Sequence, residues 1–350
     1  MTISPDIYCE HFGLRERPFL VAPDPGFLFW GRSHKAAYTA LEYGLTTRAP
    51  ITLLTGDVGA GKTTLLQHLL DRVEADMRVG LVSNARGNQG ELLRWVLHAF
   101  EQPTDPTRTY VDLFAQLQDF LIEEYARGRR VILIFDEAQH LGAEALEELR
   151  MYTNINSGKD EILQLILVGQ PELRDIVLRP DLTQFAQRVA IAFHLTALGP
   201  RDVADYVAHR VQVAGGSPEL FTAEACALIH ERTGGVPRLV NQLSDLTLLY
   251  GYTEGLSQIE EATVRQVLED GVFFGGGLAR RDPLRLVDPA PAAEAAGPEA
   301  VAGGPAVGPA GGLGGALGGS LGGGATGGKP TGGAKGRTEK GRTGKGTRDA

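Results

Sequence analysis

The chain has 350 residues, 43% hydrophobic and 22% charged, with a net charge of −9, which is long enough for about two domains and a substantial core. Its two cysteines, Cys9 and Cys226, lie far apart and in motifs unlike any metal or redox site, so reduced thiols in a cytoplasm are expected. No apolar run reaches spanning length and the N-terminus lacks a signal-peptide layout, so the expectation is a cytoplasmic protein without a transmembrane segment of its own.

In chain order, residues 8–19 (Tyr8-Cys9-Glu10-His11-Phe12-Gly13-Leu14-Arg15-Glu16-Arg17-Pro18-Phe19) and 23–29 (Pro23 to Phe29) precede a helical pattern over 33–47. An apolar, β-prone run at 51–55 follows, then Gly56-Asp57-Val58-Gly59-Ala60-Gly61-Lys62-Thr63-Thr64, then helical spacing over 62–75. This strand–loop–helix context makes G-x-x-x-x-G-K-[ST] a phosphate-binding loop. The glycines let the backbone N–H groups point at phosphate oxygens, and the helix N-terminus adds partial positive charge. Lys62 can reach the β- and γ-phosphates, and the Thr63 hydroxyl can ligate Mg2+. The expected cofactors are ATP and Mg2+, the absence of an N-K-x-D motif weighing against GTP.

A strand at 78–84 ends on Asn84, and helices are expected at 89–101 and 109–127. Residues 130–135 read as a strand buried on both faces, closed by Asp136-Glu137 where open α/β sheets bind ligands. Asp136 suits the holding of magnesium; Glu137 is then placed to polarise the water that attacks the γ-phosphate. Helix 142–155, strand 162–168, helix 171–178 and strand 189–195 complete the alternation, which predicts an α/β fold: a parallel sheet covered by helices on both faces. From about 199 to 272 only helices are expected: Asp202–Val213, Thr222–Arg232, Arg238–Tyr250 and Glu260–Glu269. Beyond 275 the chain is mostly Gly, Ala, Pro and small polar residues, a composition that cannot bury enough apolar area to fold. Residues 328–350 carry +5 and residues 1–327 carry −14. An acidic body argues against a general DNA-binding surface; the basic end reads as a solubilising tail or as a contact for phosphate-rich surfaces.

The order of parts resembles the AAA+ branch of P-loop ATPases. The two N-terminal runs, Leu167-Val168-Gly169-Gln170-Pro171-Glu172-Leu173, Phe185-Ala186-Gln187-Arg188-Val189 and Gly234-Gly235-Val236-Pro237-Arg238-Leu239-Val240-Asn241 resemble the ExeA/GspA-type secretion ATPases and their pilus and exopolysaccharide relatives over residues 6–272. The resemblance implies an ATPase core with the N-terminal signature (1–198), a helical lid (199–274) and a tail (275–350). It implies that Gln170 is a sensor of the γ-phosphate, with a turn residue before Pro171 as the alternative. Arg188 becomes an arginine finger donated to a neighbouring subunit, with Arg179 as competitor, and Arg238 a second sensor on the lid. Asn84 is either a restraint on Glu137 or a helix cap, and Phe12, Phe19 and Trp30-Gly31-Arg32 are expected near the adenine, with core packing of these aromatics as the alternative. The implied function is ATP hydrolysis that drives or regulates assembly of a cell-envelope machine for general secretion, pilus or exopolysaccharide export. It comes with a homo-oligomer, a ring among the options, an envelope-complex protein partner and recruitment to the inner membrane. Two alternatives stand beside it: a DNA-binding AAA+ regulator similar to transposition target-selection ATPases, and a nucleotide-gated switch with negligible turnover.

Overall fold

A computed structural model of the chain describes residues 7–72, 76–83, 91–157 and 160–277; Asn84 and the chain from 278 onward lie outside the described residues. Among the described residues the strands are β1 (Ile51–Gly56), β2 (Met77–Ser83), β3 (Arg130–Asp136), β4 (Asn156–Ser157), β5 (Asp160–Glu161), β6 (Leu163–Gly169) and β7 (Val189–Leu195). The helices up to β7 are α1 (Arg32–Thr46), α2 (Lys62–Leu70), α3 (Glu91–Ala99), α4 (Tyr110–Ala126), α5 (Ala143–Tyr152), α6 (Pro171–Val177) and the short α7 (Thr183–Ala186). After β7 come α8 (Pro200–Val213), α9 (Ala223–Thr233), α10 (Pro237–Thr253) and α11 (Glu261–Glu269).

Strand side chains alternate between faces, and that alternation explains why β3 is apolar throughout. Val131, Leu133 and Phe135 enter a cluster with residues of α3–α7, including Leu93, Leu117, Leu146 and Phe185. Ile132 and Ile134 enter another with Ala37 and Leu41 of α1 and Leu65, Leu66 and Leu69 of α2. Both faces are dry, and each such side chain contributes about 1.5–3 kcal/mol by its burial. The sheet is parallel, ordered β2-β3-β6-β1-β7, so β6 lies between β3 and β1. Whatever follows the C-terminal ends of β1, β3 and β6 is therefore gathered at one edge. The parallel α/β core expected from the sequence is present.

Element ends follow local chemistry. The Thr109 hydroxyl accepts from Asp112 N at 3.3 Å while the Asp112 carboxylate accepts from Thr109 N at 3.1 Å. This reciprocal cap starts α4 at Tyr110, one residue later than the pattern suggested. Helix α2 stops at Leu70, short of residue 75, and α5 stops at Tyr152, short of residue 155. The hairpin β4–β5 and α7 were not expected; two- and four-residue elements are too short to show a period.

Helices α8–α11 share an apolar cluster with Tyr8, Cys9, Leu14, Phe19 and Phe27. The N-terminal signature, grouped with the core on sequence grounds, thus packs with the four C-terminal helices. Arg15 N donates to the Ala214 carbonyl at 2.7 Å. The Tyr8 hydroxyl donates to Asp245, and Arg17 Nη2 pairs with the same carboxylate at 2.5 Å. Among the described residues, no helix is long and apolar enough to cross a membrane.

Candidate nucleotide site

The loop from Gly56 to Gly61 leaves β1 and closes onto α2 with Gly59 at φ 80° and Gly61 at φ 99°. Side chains other than glycine are strained in that left-handed region. Lys62 is buried, and its Nζ donates to the carbonyls of Gly56 at 2.7 Å and Asp57 at 2.9 Å. Burial pulls the Lys62 pKa down, against the opposing pull of Glu137, Asp136 and Asp57. Beneath the loop, His34 Nε2 donates to the Ala60 carbonyl at 3.0 Å, and burial lowers the imidazole's pKa.

Thr63 Oγ1 donates to Asp136 Oδ2 at 3.2 Å, which brings a hydroxyl and a carboxylate together at the start of α2. Asp136 is buried, and that desolvation raises its pKa despite hydrogen bonds from Glu137 N and Thr63. A buried carboxylate beside a hydroxyl is the hard-oxygen donor set that suits magnesium. Glu137 turns the chain sharply, with φ 57° in the left-handed region. Its burial favours the neutral form, but hydrogen bonds from Gln139 and Gln170, with Lys62 nearby, outweigh it and lower the pKa. Gln170 follows β6 and donates its Nε2 to Glu137 Oε2 at 3.2 Å. Lys62, Thr63, Asp136, Glu137 and Gln170 therefore stand at one sheet edge.

Arg188 stands elsewhere. It precedes β7, whose Val189 is in register with Ile51 at the start of β1, so it lies at the sheet edge opposite the phosphate loop. Its Nη1 reaches the Thr153 carbonyl at 3.3 Å and Glu161 Oε1 at 3.7 Å. The competitor Arg179 is exposed and forms a two-pronged pair with Asp181 at 3.0 and 2.8 Å. Arg238 is exposed in the first turn of α10 and lines the cleft above the loop.

That cleft, about 390 Å³, runs from Gly59, Lys62 and Thr63 to a wall the sequence reading did not anticipate. Phe27 and Phe29 line it, facing Tyr206, Arg210 and Asn241. Of the aromatics expected near adenine or in core packing, Phe12 packs edge-on to His11, Phe19 against Phe221, and Trp30 against Tyr38 and His68. None of the three lines the cleft. Arg210 is buried, donates to the Pro18 carbonyl at 2.5 Å and to Tyr206 at 2.9 Å, and lies over the Phe27 ring at 4.8 Å. Asn241 donates to the Leu20 carbonyl at 3.0 Å and accepts from Tyr206 at 2.8 Å. These bonds hold the segment before Phe27 against α8 and α10. Gln139 also escaped the sequence reading, although it stands two residues after Glu137.

Residues 45–177 match the family model described as AAA domain. The chain is 37% identical over 253 residues to general secretion pathway protein A of Aeromonas hydrophila, covering 72% of this chain and 46% of that protein. The chain thus spans about half the length of that relative. Among solved structures it is similar to Cdc6p from Pyrobaculum aerophilum (TM-score 0.56, 15% identity, 77% of this chain and 71% of that one). It is also similar to the ORC2 protein of Aeropyrum pernix (TM-score 0.50, 19% identity, 68% and 66%). With a phosphate loop, an acidic pair and a parallel sheet in this order, the chain is a nucleotide-binding P-loop protein of the AAA ATPase class. Within that class it belongs to the ExeA/GspA type.

Proposed function

We propose that this chain hydrolyses ATP with magnesium, and that turnover drives or regulates assembly of a secretion machine in the cell envelope. The convergence of Lys62, Thr63, Asp136, Glu137 and Gln170 at one sheet edge carries the reading. The backbone of Gly56–Thr64 and the Lys62 ammonium bind the phosphates, with Arg238 over them from the cleft rim. Magnesium, held by Thr63 Oγ1 and Asp136, would offset charge on the β- and γ-phosphate oxygens. Glu137 takes a proton from water as the water oxygen bonds to the γ-phosphorus and the bond to the β–γ bridging oxygen breaks; ADP leaves with that oxygen. Gln170 contacts Glu137 and reports the γ-phosphate to it. Residues 199–274, together with the N-terminal segment packed against them, act as a lid on the α/β core.

Arg188 completes the site of a neighbouring copy, because its place at the far sheet edge keeps it from its own phosphate loop. That makes the working form a homo-oligomer. The envelope setting is supported by the similarity to a general secretion pathway protein. Steady-state ATP hydrolysis by the purified chain with magnesium tests the reading. Wild type should turn over, and Glu137→Gln should bind nucleotide while losing about 10²–10⁴-fold in rate. Turnover left unchanged in Glu137→Gln would sink it.

A further inference from the structure

We infer that Gln139 is a positioning residue that aims Glu137, an inference that rests on Glu137 being the base of the proposed hydrolysis. The Gln139 side chain bridges two groups. Its Oε1 accepts the backbone N–H of Gln170 at 3.0 Å, and its Nε2 donates to Glu137 Oε2 at 2.5 Å. The orientation of this amide is fixed by its neighbours. A backbone N–H can only donate and an ionised carboxylate can only accept, so the oxygen must face Gln170 N and the nitrogen must face Glu137.

Room for the bridge is made by a missing side chain. A Cβ on Gly169 would lie 2.9 Å from Gln139 Oε1 and 3.2 Å from Gln139 N. The last residue of β6 thus lets the amide lie against the strand end. Gln170 Nε2 adds its own bond to the same Glu137 oxygen at 3.2 Å. One carboxylate oxygen, Oε2, therefore receives two amide donors. An oxygen so engaged is the poorer proton acceptor, and the clamp directs the other oxygen, Oε1, toward water. A base must be held in line with the proton it takes, and a misplacement of about 1 Å costs on the order of a hundredfold in rate. Glu137 has particular need of a clamp, because its φ of 57° leaves it on a sharp turn and not on a regular strand or helix.

Gln139→Glu separates the two halves of the bridge. It keeps an oxygen for the Gln170 N–H and replaces the donor toward Glu137 with a repelling oxygen. We expect kcat for ATP to fall about ten- to a hundredfold, with nucleotide KM within about twofold of wild type. Gln139→Ala, which loses both bonds, should fall as far. In a Glu137→Gln background, Gln139→Glu should leave the residual rate unchanged, because the group it aims is already gone. Wild-type kcat in Gln139→Glu, or an equal fractional loss in both backgrounds, overturns the inference and leaves Gln139 as a prop for Gln170. A wild-type chain that binds ATP without turning it over overturns the proposed hydrolysis and this inference together. Turnover abolished by Glu137→Gln but untouched by Gln139→Glu overturns this inference alone.

Discussion

Arg238 donates its backbone N–H to the carbonyl of Gly59 at 3.2 Å, so the first turn of α10 rests on the phosphate loop itself. A Cβ built on Gly59 would lie 2.5 Å from the Arg238 Cβ, a distance real atoms do not tolerate. Any ligand entering the loop therefore meets a helix already touching it.

Gly59→Ala should push α10 off the loop and strain a residue at φ 80°, a cost of about 1–3 kcal/mol. We expect nucleotide affinity to weaken by roughly tenfold or more, since about 1.4 kcal/mol is a factor of ten. Titration with a fluorescent ATP analogue measures it. Affinity equal to wild type would mean that the loop and α10 move independently.

Arg188→Ala should leave stability within about 1 kcal/mol, because its pair with Glu161 is long and partly exposed. Turnover should fall about 10³-fold or more if the guanidinium acts on a neighbour's ATP. Mixing Arg188→Ala with Glu137→Gln should recover part of the activity, since some interfaces then combine an intact base with an intact arginine. Mixtures no better than the average of the two variants count against action in trans.

Asp245 joins Tyr8 and Arg17, tying the N-terminal segment to α10. Replacing it with Asn keeps the shape but removes the charge that both donors address. The loss should be about 1.5–3 kcal/mol in urea unfolding, the range for hydrogen bonds to charged groups. Because residues nearby in this segment line the cleft, nucleotide affinity should fall as well.

Burial pushes the Cys226 thiol from about 9 up to about 11. The folded chain holds this proton more tightly than the unfolded one, so the associated stability is whole below pH 9 and is lost as pH rises toward 11. About 2–3 kcal/mol should disappear across that window. Chemical denaturation of wild type and Cys226→Ala at pH 8 and pH 10.5 checks the sign: the drop should be smaller in the variant. The same burial should leave Cys226 nearly unreactive toward iodoacetamide at pH 8 until the protein unfolds.

The central strands and the phosphate loop were legible because their signals are local: short continuous apolar runs, a glycine loop, and an acidic pair at a strand end. The far wall of the cleft was not. Arg210 meets Pro18 across 192 positions and Asn241 meets Leu20 across 221, and no window of sequence contains both partners. Phe12, Phe19 and Trp30 were placed near the base by family resemblance, with core packing as the equal alternative, and their ring partners favour the packing reading. Gln139 stood in plain view beside Glu137. Its role depended on a left-handed turn at Glu137 that sequence does not announce.

The bond between Tyr8 and Asp245 spans 237 positions. During synthesis the first of these residues waits for the second, which at about 5–20 residues per second is roughly ten to fifty seconds. Until α8 and α10 have both emerged, residues 8–29 lack part of the helical surface that covers their apolar side chains, and the cleft lacks its outer wall. β1, which carries the phosphate loop, waits for β6 and β7 as its sheet neighbours, and the cleft above the loop is not closed until Arg238 and Asn241 of α10 have left the ribosome.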